Sequence, residues 1–137
     1  MTMGVIGLIL PAVAMAGTKT VNAVVKGDAN SKVTITFKVG RDLPTKVKSF
    51  SFKNVDSTCA EGGEVNGSVR NLDLSPMLSF LGGAAVTETL GFRVRGIVDP
   101  KARKIKDGEI EFFILENGDR IVESCGAVDY KVPPKNS

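Results

Sequence analysis

The chain contains no histidine. That removes the usual general base for a serine or cysteine nucleophile. A Ser-Lys pair would be the fallback, but no Ser-x-x-Lys spacing occurs after residue 16. Cysteine is nearly absent as well, with only Cys59 and Cys125. Two thiolates without imidazole make a poor zinc site, and their distance apart in sequence is unlike a redox pair. No metal or other cofactor is expected. Tryptophan is missing and Tyr130 is the only tyrosine. Sugar-binding β-domains stack such rings on their ligands, so the composition weighs against a carbohydrate site. Charge of one sign is not in excess, since 18 basic and 15 acidic residues leave +3. That balance, without interleaved aromatics, does not predict nucleic-acid binding.

Long apolar runs are also scarce. The one present, Met3 to Ala16, is interrupted by Pro11 and ends in Ala14-Met15-Ala16 before Gly17. A membrane span needs about 20 apolar residues, so this run is too short for one. A hydrophobic stretch followed by small-x-small residues has the layout of a secretory signal peptide, although Met1-Thr2-Met3-Gly4 lacks the usual basic residue. The expectation is a signal peptide over 1–16, one domain over 17–132, and a disordered tail over 133–137. The mature chain would then be secreted or extracytoplasmic, with no membrane span. In an oxidising compartment Cys59 and Cys125 are expected to form one structural disulfide.

What remains alternates with a period of two. Val33, Ile35, Phe37 and Val39 interleave with Lys32, Thr34, Thr36 and Lys38. Successive strand side chains point to opposite faces, so this is a strand with one apolar face. Leu90, Phe92 and Val94 alternate with Arg93 and Arg95, and Ile110, Phe112 and Ile114 with Glu109 and Glu111. Weaker strands are predicted at 21–26, 47–55, 64–69, 120–124 and 127–132. Pro76 to Leu81 is read as at most one helical turn, and Asn66-Gly67 as a turn. Strands of this kind must close on one another as a sandwich or a barrel. The expected fold is all-β: an antiparallel sandwich of about eight strands, immunoglobulin-like or related, with one disulfide.

The hairpin of 90–98 and 103–114 permits a register prediction. A turn at Asp99-Pro100-Lys101-Ala102 would begin pairing at Val98 and Arg103. One extra residue at Asp107-Gly108 would then set Phe92 opposite Ile110 and Arg93 opposite Glu109, apolar against apolar and charge against charge. Without that bulge Phe92 would face Glu109 and bury a carboxylate.

Cys59, the Phe92-Arg93-Val94-Arg95-Gly96 strand, Ile105 followed by Gly108, Cys125-Gly126 and Tyr130 occur in that order. This resembles a group of small secreted β-sandwich proteins of actinobacterial type, whose function is unknown. Tyr130 stands where that group often carries tryptophan. The resemblance implies the sandwich fold and carries no activity.

Two surfaces are candidates for binding. Arg93 and Arg95 share a strand face, and Lys101, Arg103, Lys104 and Lys106 crowd the next segment. They could grip an anionic cell-surface polymer, a phospholipid surface or a heparin-like sugar. Alternatively they form a wet strand face neutralised by Glu109 and Glu111. The second surface is the apolar stretch 74–82, where Met77, Leu78 and Phe80 fall outside strand alternation. It could meet an extracellular protein, or it could plug one end of the fold. The expected function is therefore a secreted, non-enzymatic binding or surface module. The alternative is a protease inhibitor acting through 74–82.

Overall fold

The computed structural model describes residues 17–59 and 63–134. The signal-peptide segment 1–16 and residues 135–137 of the predicted tail lie outside them. Eight strands run in chain order: β1 (Gly17–Val25), β2 (Asp28–Val39), β3 (Pro44–Asp56), β4 (Glu64–Asp73), β5 (Ser79–Ala85), β6 (Leu90–Val98), β7 (Ile105–Glu116) and β8 (Arg120–Lys131). All neighbours pair antiparallel, in the order β4-β3-β2-β1-β8-β7-β6-β5. Two meanders, β1–β4 and β5–β8, thus form a single sheet rolled nearly into a barrel. The all-β class, the strand number and the disulfide agree with expectation. The arrangement differs from two separate sheets, because β1 and β8 join the halves by pairing Val24 with Lys131 and Val25 with Tyr130.

The alternating residues fill the space between the meanders. Val33, Ile35, Phe37, Phe50, Val94, Ile110 and Phe112 are fully buried. Five aromatic pairs occur among the described residues, and each joins a ring of β1–β4 to a ring of β5–β8. Phe37 and Phe50 meet Phe80, Phe50 meets Tyr130, and Phe52 meets Phe92 and Phe112. Centroid distances of 5.0–6.2 Å and tilted or edge-on planes suit the ring quadrupoles. At the far seam β4 and β5 are not hydrogen-bonded neighbours. There Leu72 lies against Gly82, so side-chain packing closes the gap.

Several local expectations change. Residues 79–85 form β5, and Asn66-Gly67 lies within β4. Gly67 is needed there because a Cβ would come within 2.7 Å of the Phe52 ring. The segments 120–124 and 127–132 form one strand, β8, kinked by an extra residue near Cys125. The bulge at Asp107-Gly108 is present: Arg95 faces Glu109 and Ile97 faces Lys106, so Gly96 alone opposes both residues. Asp107 adopts φ 55° to make it. The register is nevertheless displaced by two residues, with Phe92 opposite Phe112 and Arg93 opposite Glu111. The cause is the connection, which spans 99–104 and begins pairing at Val98 and Ile105. A shift of two preserves which face each side chain occupies, so the alternation could not reveal it.

The bulge serves Tyr130. Its ring lies buried beneath Gly96 and Gly108, and its hydroxyl donates to the Arg95 carbonyl at 2.9 Å. Burial pushes the phenol pKa upward. A Cβ on Gly108 would stand 2.6 Å from the ring. Gly108→Val is therefore expected to destabilise the fold by about 1–3 kcal/mol through overpacking. A urea midpoint equal to that of the wild type would show that Tyr130 is not held there.

Candidate functional site

Antiparallel order places the connections 40–43, 74–78 and 99–104 at one end of the barrel. The chain also enters here, and Lys19 Nζ donates to the Lys101 carbonyl at 3.3 Å. Between the second and third connections lies a cleft of about 590 Å³. Its walls are Pro76, Met77, Leu78, Ile97, Val98, Pro100 and Ile105, and Asp99, Lys104 and Lys106 stand at its margin. Two stretches far apart in sequence, the apolar 74–82 and the basic 101–106, thus meet at one pole.

Each wall has a local cause. Ser75 Oγ accepts the amide protons of Met77 and Ser79, and the Leu78 N–H donates to the Ser75 carbonyl. This closes a tight turn that leaves Met77 80% exposed, whereas Leu78 folds back at φ 65°. The 99–104 connection is organised by Asp99, whose Oδ1 accepts from the amides of Arg103 at 2.6 Å and Lys104 at 2.8 Å. Buried Ala102 packs beneath, at φ 53°. Lys101, Arg103 and Lys104 are left exposed. The carboxylate in their midst is committed to backbone, so the loop presents cations outward.

Partial burial raises the Asp99 pKa, but the amide donors of Lys104, Arg103 and Lys101 together outweigh it and hold the carboxyl below its ordinary value. Glu111 is lowered as well, first by the Arg93 hydrogen bond and then by that of Ser124. A carboxyl with a depressed native pKa adds stability above its unfolded pKa, and that stability is lost as pH falls through the native one. Wild type should accordingly lose stability on acidification below about pH 4. Asp99→Asn and Glu111→Gln should each flatten that loss. Parallel pH profiles of the urea midpoint for all three proteins would refute the assignment.

The remaining candidates are placed as follows. Arg93 and Arg95 do share the outer face, but each is paired: Arg93 with Glu111 at 2.8 Å and Arg95 with Glu109 at 3.1 Å. Arg93 also covers Phe113, 5.0 Å from the ring centroid. These arginines form a neutralised cross-strand ladder and not a free cationic patch. Phe80 is buried against Phe37 and Phe50, so it has no surface to offer a partner. The segment 74–82 is thus a closed turn followed by the start of β5. Ile97, Val98 and Ile105 are not among the binding candidates the sequence offers. Their signal was the meander itself, which brings consecutive hairpin ends to the same pole.

A larger open groove, about 690 Å³, lies over the Asp107-Gly108 bulge. Lys26, Arg95 and Lys131 line it with Asp107, Glu109 and Asp129. The charges balance, and Arg95 is already paired, so it carries no preference for an ion of either sign. Among the described residues no cluster of metal-ligating side chains occurs, and no helix is long and apolar enough to cross a membrane.

The fold and the pole together define a small disulfide-bonded antiparallel β-domain with an apolar, basic-rimmed cleft at one end. Comparison with known proteins finds no family model, no curated protein and no solved structure that matches the chain.

Proposed function

We propose that this chain is an extracytoplasmic, non-enzymatic binding module that engages an anionic partner through the pole formed by 74–78 and 99–104. The carrying observation is the joining of exposed Met77 and the apolar cleft to Lys104, with Lys101 and Arg103 exposed on the same connection and Asp99 Oδ1 held by its backbone amides. The apolar leader-like run and the Cys59–Cys125 bridge support export. In this reading the two meanders act as the sheets of a flattened sandwich, an arrangement supported by the aromatic pairs that cross between them.

The test is retention on a heparin or polyphosphate resin. Wild type should bind and elute with salt. The variant Lys101→Glu with Arg103→Glu and Lys104→Glu should pass through. A control with the same change in charge, Lys32→Glu with Lys48→Glu and Lys53→Glu, alters exposed β2 and β3 residues and should still be retained. Equal elution of the two variants would sink the reading.

A further inference from the structure

We infer that the partner is an anionic phospholipid surface, which the pole contacts edge-on with the Met77 turn entering the headgroup boundary. The inference rests on the binding-module reading above and adds the partner's class.

Three observations favour a lipid surface over a free polyanion. The first is the side chain at the tip. Met77 is the most exposed of the large apolar residues described, at 80%. A dissolved polyanion offers nothing for it to bury against, whereas the headgroup boundary does. The second is the cleft behind it, walled by Leu78, Ile97, Val98 and Ile105. Apolar surface continuous with an exposed tip suits acyl-chain contact and gives no purchase to a sugar or phosphate chain. The third is the cluster of cations on one flank of this apolar surface, with Lys104 and Lys106 at the cleft margin. Lys101, Arg103, Lys104 and Lys106 are all exposed, and Lys19 reaches the same loop. An apolar tip beside a basic cluster is the pattern of interfacial binding, in which each Lys or Arg near an anionic surface strengthens attachment about fivefold.

Acidic residues offset this basic cluster only in part. Asp99 stays ionised with Oδ1 held by backbone amides, and Asp73 at the end of β4 pairs with Lys46 at 3.7 Å. Asp42 and Asp107 are the other carboxylates on or beside the connections of this pole. The chain also enters β1 here, beside Lys101.

The absence of tryptophan supplies the probe. The experiment uses the chain from Gly17, which contains every strand and core residue described. Met77→Trp is made at the exposed tip and mixed with vesicles of phosphatidylcholine, with or without about one-third phosphatidylglycerol. Its emission should move to the blue only with the anionic vesicles, and sedimentation should show binding that weakens as salt rises. Met77→Asp should weaken sedimentation about tenfold. Reversal of Lys101, Arg103 and Lys104 should weaken it more than about 100-fold. The Lys32, Lys48 and Lys53 reversal should leave it largely intact.

Equal binding to neutral vesicles would overturn the inference. So would anionic-vesicle binding without a blue shift and without a Met77→Asp effect, since the contact would then be purely electrostatic. Retention on polyphosphate without vesicle binding overturns the lipid partner and leaves the binding module standing. Failure to bind either overturns both.

Discussion

Replacing Cys59 and Cys125 together by serine is expected to lower the melting temperature by more than about 10 °C. The bridge closes a separation of 66 residues, for which chain entropy alone gives about 4 kcal/mol. A domain of this size has about 5–15 kcal/mol of stability and shifts by several degrees per kcal/mol. The position of the bridge adds a structural reason. β8 pairs with β1 at Tyr130 and Lys131, and the Lys26 amide donates to the Asp129 carbonyl. Residues 120–128 therefore have β7 on one side and, among the described residues, no strand paired on the other. Cys125 ties that free flank to the β3–β4 connection, and Thr58 Oγ1 donates to the Gly126 carbonyl at 3.2 Å. The reduced or substituted protein should show faster amide exchange in β8 before exchange rises in β2 or β3. Equal melting temperatures in oxidising buffer would mean that the bridge contributes nothing to the fold.

How much of this architecture could be read from the chain depends on what kind of information each feature carries. The period of two placed Val33, Ile35, Phe37, Phe92, Val94, Ile110 and Phe112 on one face, and all of them are buried. Composition and the lone cysteine pair carried the all-β class and the bridge. Strand alternation has no term for distance along the partner, so the hairpin register was displaced by two while its faces stayed correct. β5 was missed for a different reason. Its sequence Ser-Phe-Leu-Gly-Gly-Ala-Ala lacks β-branched residues. It becomes a strand by pairing with β6 from Ser79–Ile97 to Ala85–Gly91, and its glycines fit beneath the Leu72 side chain and the Phe92 backbone. Asn66-Gly67 failed in the same way: the glycine answers to the Phe52 ring across the strand and not to a turn.

The candidate site was legible in its parts and not in its assembly. The apolar 74–82 and the basic 101–106 could each be singled out from sequence. Their meeting depends on the connections at β4–β5 and β6–β7 sharing a pole, which is a property of the strand order. The arginine pair was ambiguous for a related reason. Whether Arg93 and Arg95 are free or neutralised is decided by cross-strand partners, and Glu109 and Glu111 lie opposite them. Phe80 was misplaced because a phenylalanine beside glycines reads as loop when its strand is not recognised.

Phe52→Ala is expected to cost about 3–5 kcal/mol, most of the stability of a domain this size. Phe52 is 1% exposed and sits edge-on to Phe92 at 5.0 Å and to Phe112 at 6.1 Å. Its own strand is bent for it. An extra residue after Lys53, with Asn54 at φ 56° and its amide donating to Asn66 Oδ1, lets both Phe52 and Val55 point inward. Truncation would open a cavity between the meanders, where the surrounding rings cannot all move in. Phe113→Ala supplies the contrast. Phe113 is also buried, at 5%, but it lies apart from the main cluster and is covered from outside by the Arg93 guanidinium. Solvent and a flexible side chain can refill that site, so its loss should be no more than about half as large. Should Phe52→Ala fail to fold, Phe52→Leu at about 1–2 kcal/mol is compared with Phe113→Leu, which should cost less. Denaturant midpoints decide the matter: if Phe113→Ala proves as costly as Phe52→Ala, the core does not lie where the five aromatic pairs place it.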